Sequence, residues 1–349
     1  MRLLLLTLLT CITIGAHGAD SLIHRIEVNV TPSLPTKHHA FLRGSNTQGK
    51  SIDFATMLRL KYGHETTKDT LYRGSHQGVG IGLHCFPSIL GTPVSAFFYQ
   101  GAPLVRFNDR LALCYEWDLG LSAGLKHFSD EEPENRLLGS SVNLYLTIDA
   151  MLQIMLSEHF DLNVGIGYTH FSNANTVFPN EGLNSFGASM SLVWHSRRYR
   201  LPPVAAIPAV TDRFYTDIVL QAGWKRRGKL HDGYGIYGLG GISVAPMYRL
   251  FNILSLGAGA DIIFDPTIND DTGLFQQTAV GLQARAELNM PIFRVFGGVG
   301  IFTLGHMHGP YENIGVKVDV SRHLFLNIGY ILYNWRYNNN MQLGIGLHL

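Results

Sequence analysis

Residues 141–156 read SVNLYLTIDAMLQIML. Val142, Leu144, Leu146, Ile148, Ala150, Leu152, Ile154 and Leu156 alternate with Ser141, Asn143, Tyr145, Thr147, Asp149 and Gln153. Successive side chains of a strand point to opposite faces, so this row predicts a strand with one apolar and one polar side. It is longer than the ~9–11 residues that a tilted strand needs to cross bilayer hydrocarbon.

The same period runs through the chain. In 111–126, Leu111, Leu113, Tyr115, Trp117, Leu119, Leu121 and Leu125 face away from Cys114, Glu116, Asp118, Gly120, Ser122 and Lys126. Met341, Leu343, Ile345, Leu347 and Leu349 repeat it at the C-terminus, and similar rows occur at 53–62, 78–85, 214–225, 278–289, 314–321 and 324–333. A soluble sandwich also alternates, so length and content must decide the solvent. The polar rows are rich in Gly, Ser and Asn and carry Arg59, Lys61, Arg285, Glu287, Lys317 and Asp319. Tyr and Trp recur near strand ends, as an interfacial girdle requires. The expected fold class is all-β: an antiparallel transmembrane β-barrel of the outer-membrane type with about sixteen strands, twelve being the lower bound.

Connections give a second test. With 22–31 as the first strand, short turns fall around Asn108, Glu158–Phe160, Phe251–Asn252, Asn289–Met290 and Arg322. Longer polar connections fall on the other side, at 32–50, 127–138, 173–182, 225–233, 265–273 and 305–311. Only 63–75 and the proline-rich 198–212 break this outer-membrane asymmetry. The latter is the one linker-like stretch, and closing one barrel over 19–349 is expected because two would need a second full set of edge pairings. A loose echo links DLNVGIGYTHFSN with FRVFGGVGIFTLGHMH.

Composition agrees. Of 349 residues only 15% are charged and 46% are hydrophobic, against a net charge of +1, which argues against a nucleic-acid partner. The N-terminus, MRLLLLTLLTCITIGAHGAD, reads as a signal peptide over 1–18, cut after Gly18 or Ala19; Cys11 gives a faint lipoprotein-box echo. Cys85 and Cys114 fall near opposite ends of different strands, so no bridge is expected.

Function concentrates in 167–185, GYTHFSNANTVFPNEGLNS. Val164, Ile166, Tyr168, His170 and Ser172 form one row, expected to face lipid; Asn163, Gly165, Gly167, Thr169 and Phe171 form the other. His170 and Ser172 stand about 7 Å apart along the row, at the external end, a gap an imidazole can bridge. In the next strand Asn184 heads the apolar row Phe186, Ala188, Met190, Leu192 and Trp194 at the same end. A nucleophile, a base and a partner for the base are what acyl transfer needs.

These residues resemble a known family. HFSNA…PNEGLNS is similar to the signature of the PagL-type lipid A deacylases, or acyloxyacyl hydrolases, outer-membrane barrels that remove an ester-linked acyl chain from lipopolysaccharide. The resemblance implies His170 as base and Ser172 as nucleophile, with Asn173 or nearby backbone amides holding the oxyanion and Pro179-Asn180 as part of the motif. It extends as barrel pattern over 19–197 and leaves 213–349 as additional strands. It implies lipid A as substrate, the bacterial outer membrane as location with the site facing the outer leaflet, and no cofactor or metal. The family's acidic member falls where this chain has Asn184. An asparagine oxygen can still fix the imidazole tautomer but cannot offset its positive charge. A slower Ser172-His170-Asn184 site, recruitment of Glu181 from the loop, and loss of activity are the three outcomes compatible with that change.

Other signals are weaker. WKRRGK at 224–229 offers Arg226, Arg227 and Lys229 to lipid A phosphates, or to solvent. SDEEPEN at 129–135, NDD at 269–271 and the pair His306 and His308 lack metal-site spacing. The competing class is a barrel without chemistry, a porin-like channel or an adhesion protein that keeps the motif.

Overall fold

The computed structural model describes residues 22–36, 41, 54–66, 74–174, 176–198, 210–226, 236–267, 273–290, 293–305, 307–334 and 337–349. The signal peptide, the centre of the 198–212 linker, Arg227, Lys229, NDD at 269–271 and His306 lie outside them.

The expected antiparallel strands form, sixteen in number, but they close as two barrels of eight. The first holds β1 (Leu22–Pro35), β2 (Ala55–Thr66), β3 (His76–Cys85), β4 (Gly91–Asn108), β5 (Leu111–Leu125), β6 (Val142–Met155), β7 (Phe160–Ser172) and β8 (Leu183–His195). The second holds β9 (Phe214–Arg226), β10 (Ile236–Phe251), β11 (Leu254–Phe264), β12 (Thr278–Asn289), β13 (Phe293–Gly305), β14 (Gly309–Asp319), β15 (Leu324–Tyr333) and β16 (Tyr337–His348). The single barrel over 19–349 is therefore corrected. β8 returns to β1, with Val28 opposite Leu192, and β16 returns to β9, with Ile345 opposite Leu220. Eight strands already suffice to close a sheet, so the second set of edge pairings is met in full.

Two boundaries also move. β1 runs past Pro32 to Pro35: pairing with β8 lapses at Thr31 and Pro32, where the proline has no N–H to give, but β2 stays paired through them and β8 pairs again from Ser33. The expected loop at 305–311 shrinks to 306–308, since Gly305 (φ +87°) and Gly309 (φ +125°) take the left-handed backbone that lets β13 turn tightly into β14. In the first barrel the turns 109–110 and 156–159 lie at one end and the connections 36–54, 86–90, 126–141 and 173–182 at the other.

An eight-stranded barrel is just wide enough for side chains to fill. In the first, Arg25, Glu27, Arg59, Lys61, Glu116 and Asp118 are all 0% exposed. Arg59 Nη1 lies 2.6 Å from Asp118 and 2.9 Å from Asp149, and Lys61 Nζ lies 3.2 Å from Asp118 and pairs closely with Glu116. Toward the loop end Phe86, Phe97, Tyr145, Phe171, Leu137 and Leu183 pack into an apolar cap. The second barrel repeats the principle: Lys317 pairs with Asp217 and Glu287, and Arg294 lies 2.7 Å from Asp217 and 2.9 Å from Asp319. Asp319, expected inside, is exposed at its strand end but tied to Arg294. The outward rows are apolar and exposed, among them Leu58, Leu60, Ile148, Ile166, Leu220 and Ile345. Cys85 and Cys114 are both free thiols.

The two barrels share a device. In the turns before β7 and β15, Ser157 Oγ accepts from the His159 and Phe160 amides, as Ser321 Oγ does from those of His323 and Leu324. His159 Nδ1 then donates to the His195 carbonyl at 3.0 Å, and His323 Nδ1 to that of His348 at 3.1 Å. The chain continues HFDLNVG in one and HLFLNIG in the other. The true counterpart of β7 is thus β15, not β13, which the sequence echo had matched to it.

Candidate active site

β7 lies between β6 and β8, and its two rows separate as the alternation requires. Asn163, Thr169 and Phe171 are buried in the lumen, whereas Val164 is 43% and Ile166 71% exposed on the outside. Tyr168, His170 and Ser172 complete the outward row and are half-buried. His170 therefore stands on the outer wall, at the end of the barrel where the longer connections gather.

Register brings the next member to it. His170 lies directly opposite Asn184 of β8, and its Nδ1 is 2.5 Å from Asn184 Oδ1. An amide oxygen only accepts, so Nδ1 carries a proton, and in the neutral imidazole the lone pair is then on Nε2. The same Oδ1 accepts a hydrogen bond from the Tyr168 hydroxyl at 2.8 Å. The backbone of Asn184 is fixed as well, because its carbonyl accepts from the Thr36 amide at 2.8 Å. Ser172 lies two residues beyond His170 on the same outward row.

The loop from β7 to β8 is folded by the motif's own side chains. Asn180 Oδ1 accepts from the Asn173 amide at 3.0 Å, Asn173 Nδ2 donates to the Val177 carbonyl at 2.7 Å, and Thr176 Oγ1 donates to the Asn173 carbonyl at 2.8 Å. Gly182 closes the loop with φ +76°, its amide donating to the Leu137 carbonyl at 2.8 Å. A Cβ at this position would stand 3.0 Å from His170 Cε1, so only glycine supplies both the backbone angle and the room beside the imidazole. Glu181, one residue earlier, is exposed, with its carboxylate 4.0 Å from Arg136 Nε. His170 Nδ1 is already taken by Asn184, so Glu181 is not its orienting partner in this arrangement.

Of the residues read from the sequence, the structure joins His170 to Asn184 and Asn173 to Asn180, with Ser172 on the same outer wall. Arg226 ends β9 in the second barrel, and its side chain is outside the described set, as are Arg227 and Lys229. Among the described residues no group of three His, Cys, Asp or Glu side chains is arranged to hold a metal ion. Sequence reasoning missed Tyr168 and Thr36 as supports of the site. Tyr168 had a signal, its place two residues before His170 on one face, but it was read as part of the apolar row.

Two family models match this chain. Residues 91–193, from β4 to the end of the site, match lipid A 3-O-deacylase (PagL). Residues 214–349 match the acyloxyacyl hydrolase, C-terminal domain, and cover the second barrel. The chain belongs to the PagL-type family. The stretch beyond 213, without a counterpart in the motif, is thus a domain with a family description of its own. Among solved structures, the outer membrane enzyme PagL aligns at 18% identity and a TM-score of 0.34, over 48% of this chain and 97% of that one. A mutant of the Rh. blastica porin aligns at 11% identity and a TM-score of 0.20, covering 94% of this chain and all of its own. The translocator domain of the autotransporter NalP from Neisseria meningitidis aligns at 10% and 0.24, covering 99% and 95%. No curated protein sequence matches the chain.

Proposed function

We propose that this PagL-type chain is an outer-membrane hydrolase that removes an ester-linked acyl chain from lipid A, with Ser172 as nucleophile, His170 as base and Asn184 as the residue that orients the base. The observation that carries the reading is the contact of His170 Nδ1 with Asn184 Oδ1 at 2.5 Å on the outward wall. In the neutral imidazole this contact puts the lone pair on Nε2, the nitrogen that must take a proton.

Ser172 Oγ attacks the ester carbonyl as Nε2 takes its proton, and the tetrahedral intermediate collapses as Nε2 returns that proton to the departing sugar oxygen. Water then attacks the acyl-serine by the same exchange, releasing a free fatty acid and restoring Ser172. The resemblance gives the developing oxyanion to Asn173, whose Nδ2 donates one hydrogen to the Val177 carbonyl in the loop next to Ser172. A substrate that lies in the outer leaflet meets this wall sideways, so no lumenal pocket is needed. Site and loops at one end of the barrel favour orientation toward the outer leaflet.

A channel is the weaker reading, because Arg25, Arg59, Lys61, Tyr99 and Tyr145 fill the first lumen at 0% exposure. The deciding experiment is mass spectrometry of lipid A after incubation with the purified full chain and with Ser172→Ala. Loss of one acyl mass with the wild type alone supports the esterase and its nucleophile. Equal loss with both proteins removes Ser172 from the mechanism, and intact lipid A with both removes the activity.

A further inference from the structure

The family's carboxylate is replaced here by an amide, and an amide has a wrong way round. A carboxylate presents an acceptor whichever oxygen faces the imidazole. Asn184 presents an acceptor through Oδ1 but a donor through Nδ2. With Nδ2 toward His170, Nδ1 would have to accept, the proton would move to Nε2, and the base would be lost. The terminal torsion of asparagine is broad and close to two-fold, so the side chain by itself does not choose. The Asn184 backbone is already held through its carbonyl by Thr36, and this torsion is the freedom that remains to be decided.

We propose that Tyr168 decides it: its hydroxyl, donating to Asn184 Oδ1 at 2.8 Å, is the positioning group that keeps the amide oxygen turned to His170. The assignment rests on His170 acting as the base. A phenol is a good donor and a poorer acceptor. On a half-buried outer wall, a flipped amide would leave the phenolic O–H without an acceptor, whereas the observed orientation leaves only weak acceptor capacity idle. Tyr168, His170 and Ser172 are consecutive members of one outward row, so the hydroxyl reaches the Asn184 oxygen from the row that carries the base. The Tyr168 ring also packs on Phe186, with centroids 5.0 Å apart, a contact that phenylalanine at 168 would keep.

The test is a cycle on the full chain with Tyr168→Phe and the isosteric Asn184→Asp, read by lipid A deacylation and by the 15N signature of the His170 tautomer. In the Asn184 background, loss of the hydroxyl should lower kcat about tenfold, the equivalent of one net hydrogen bond, with KM unchanged. His170 should shift toward the Nε2-protonated form. In the Asn184→Asp background, where neither oxygen is wrong, the same substitution should change kcat less than about twofold, so the aspartate rescues the phenylalanine. Equal losses in both backgrounds would mean that the hydroxyl acts by some route other than the orientation of the amide, and would overturn the proposal. So would a tautomer that ignores Tyr168→Phe, whether or not the protein turns over lipid A. A tautomer that responds in a protein that hydrolyses nothing would keep Tyr168's role in positioning His170 and sink the deacylase reading instead.

Discussion

Asn184→Asp is the substitution that weighs the site's departure from an acidic triad. The variant keeps the shape, the register opposite His170 and the acceptor atoms for both His170 Nδ1 and the Tyr168 hydroxyl. What changes is charge: the carboxylate is negative throughout, and its attraction is realised when His170 becomes an imidazolium in the transition state. Two opposite charges ~4 Å apart attract by about 4 kcal/mol at the effective dielectric of a partly exposed site. Desolvating the new carboxylate takes back part of that. A hydrogen bond to a charged partner exceeds a neutral one by about 1–1.5 kcal/mol net, which is roughly tenfold in rate. Initial rates of acyl loss from lipid A, measured by mass spectrometry on folded protein, should therefore rise about tenfold in kcat with little change in KM. An unchanged or slower Asp variant of equal thermal stability would refute the idea that His170 leans on this side chain as it charges.

Gly182→Ala should be costly twice over, because the residue sits at φ +76° and its new Cβ would lie 3.0 Å from His170 Cε1. The strain is about 1–2 kcal/mol in unfolding experiments, and deacylation should fall further than stability. Arg59→Met leaves Asp118 to Lys61 and takes from buried Asp149 its ion-pair partner, and should lower the unfolding free energy of the first barrel by about 3–5 kcal/mol. Urea titration should find most of that recovered when both aspartates are also changed to asparagine. Lys317→Met leaves Asp217 and Glu287 to the longer contacts of Arg294, and should destabilise the second barrel by a few kcal/mol while kcat, read below its unfolding transition, stays at the wild-type value.

Alternation made the strands legible, because a two-residue period survives any uncertainty about where a strand ends. The same period told Ile166 from Thr169 and placed His170 on the wall, since one side of β7 is apolar and the other polar. Adjacency of β7 and β8 was enough to bring Asn184 to the imidazole. Closure was not legible: β8 and β16 alternate alike, and nothing in either pattern says which returns to β1. The echo misled for a related reason, since glycine-broken strands look alike whatever their place in a barrel. The repeat that survives is fixed by side-chain to backbone bonds, Ser157 with His159 and Ser321 with His323, and those bonds hold a turn that the apolar period does not encode. Tyr168 stayed hidden because its ring belongs to the apolar row, and only its hydroxyl's partner across the ladder gives the second role away.

The shared turn also says where chemistry can and cannot lie. His159 and His323 occupy equivalent places, so stepping along the two strands in parallel brings His170 to Asn334 and Ser172 to Arg336. β15 has already ended at Tyr333 by then, and Asn334 turns away with φ +49°. The second barrel thus keeps the scaffold of the first, with its serine-histidine turn and ion-paired lumen, but at this place has neither nucleophile nor base. Its lumen is braced like that of its neighbour, by Lys317 and Arg294 on Asp217 and Glu287. A barrel whose inside is filled can act only from its wall or its loops. At the place equivalent to His170 and Ser172, the second barrel does not repeat the pair that the first carries on its wall.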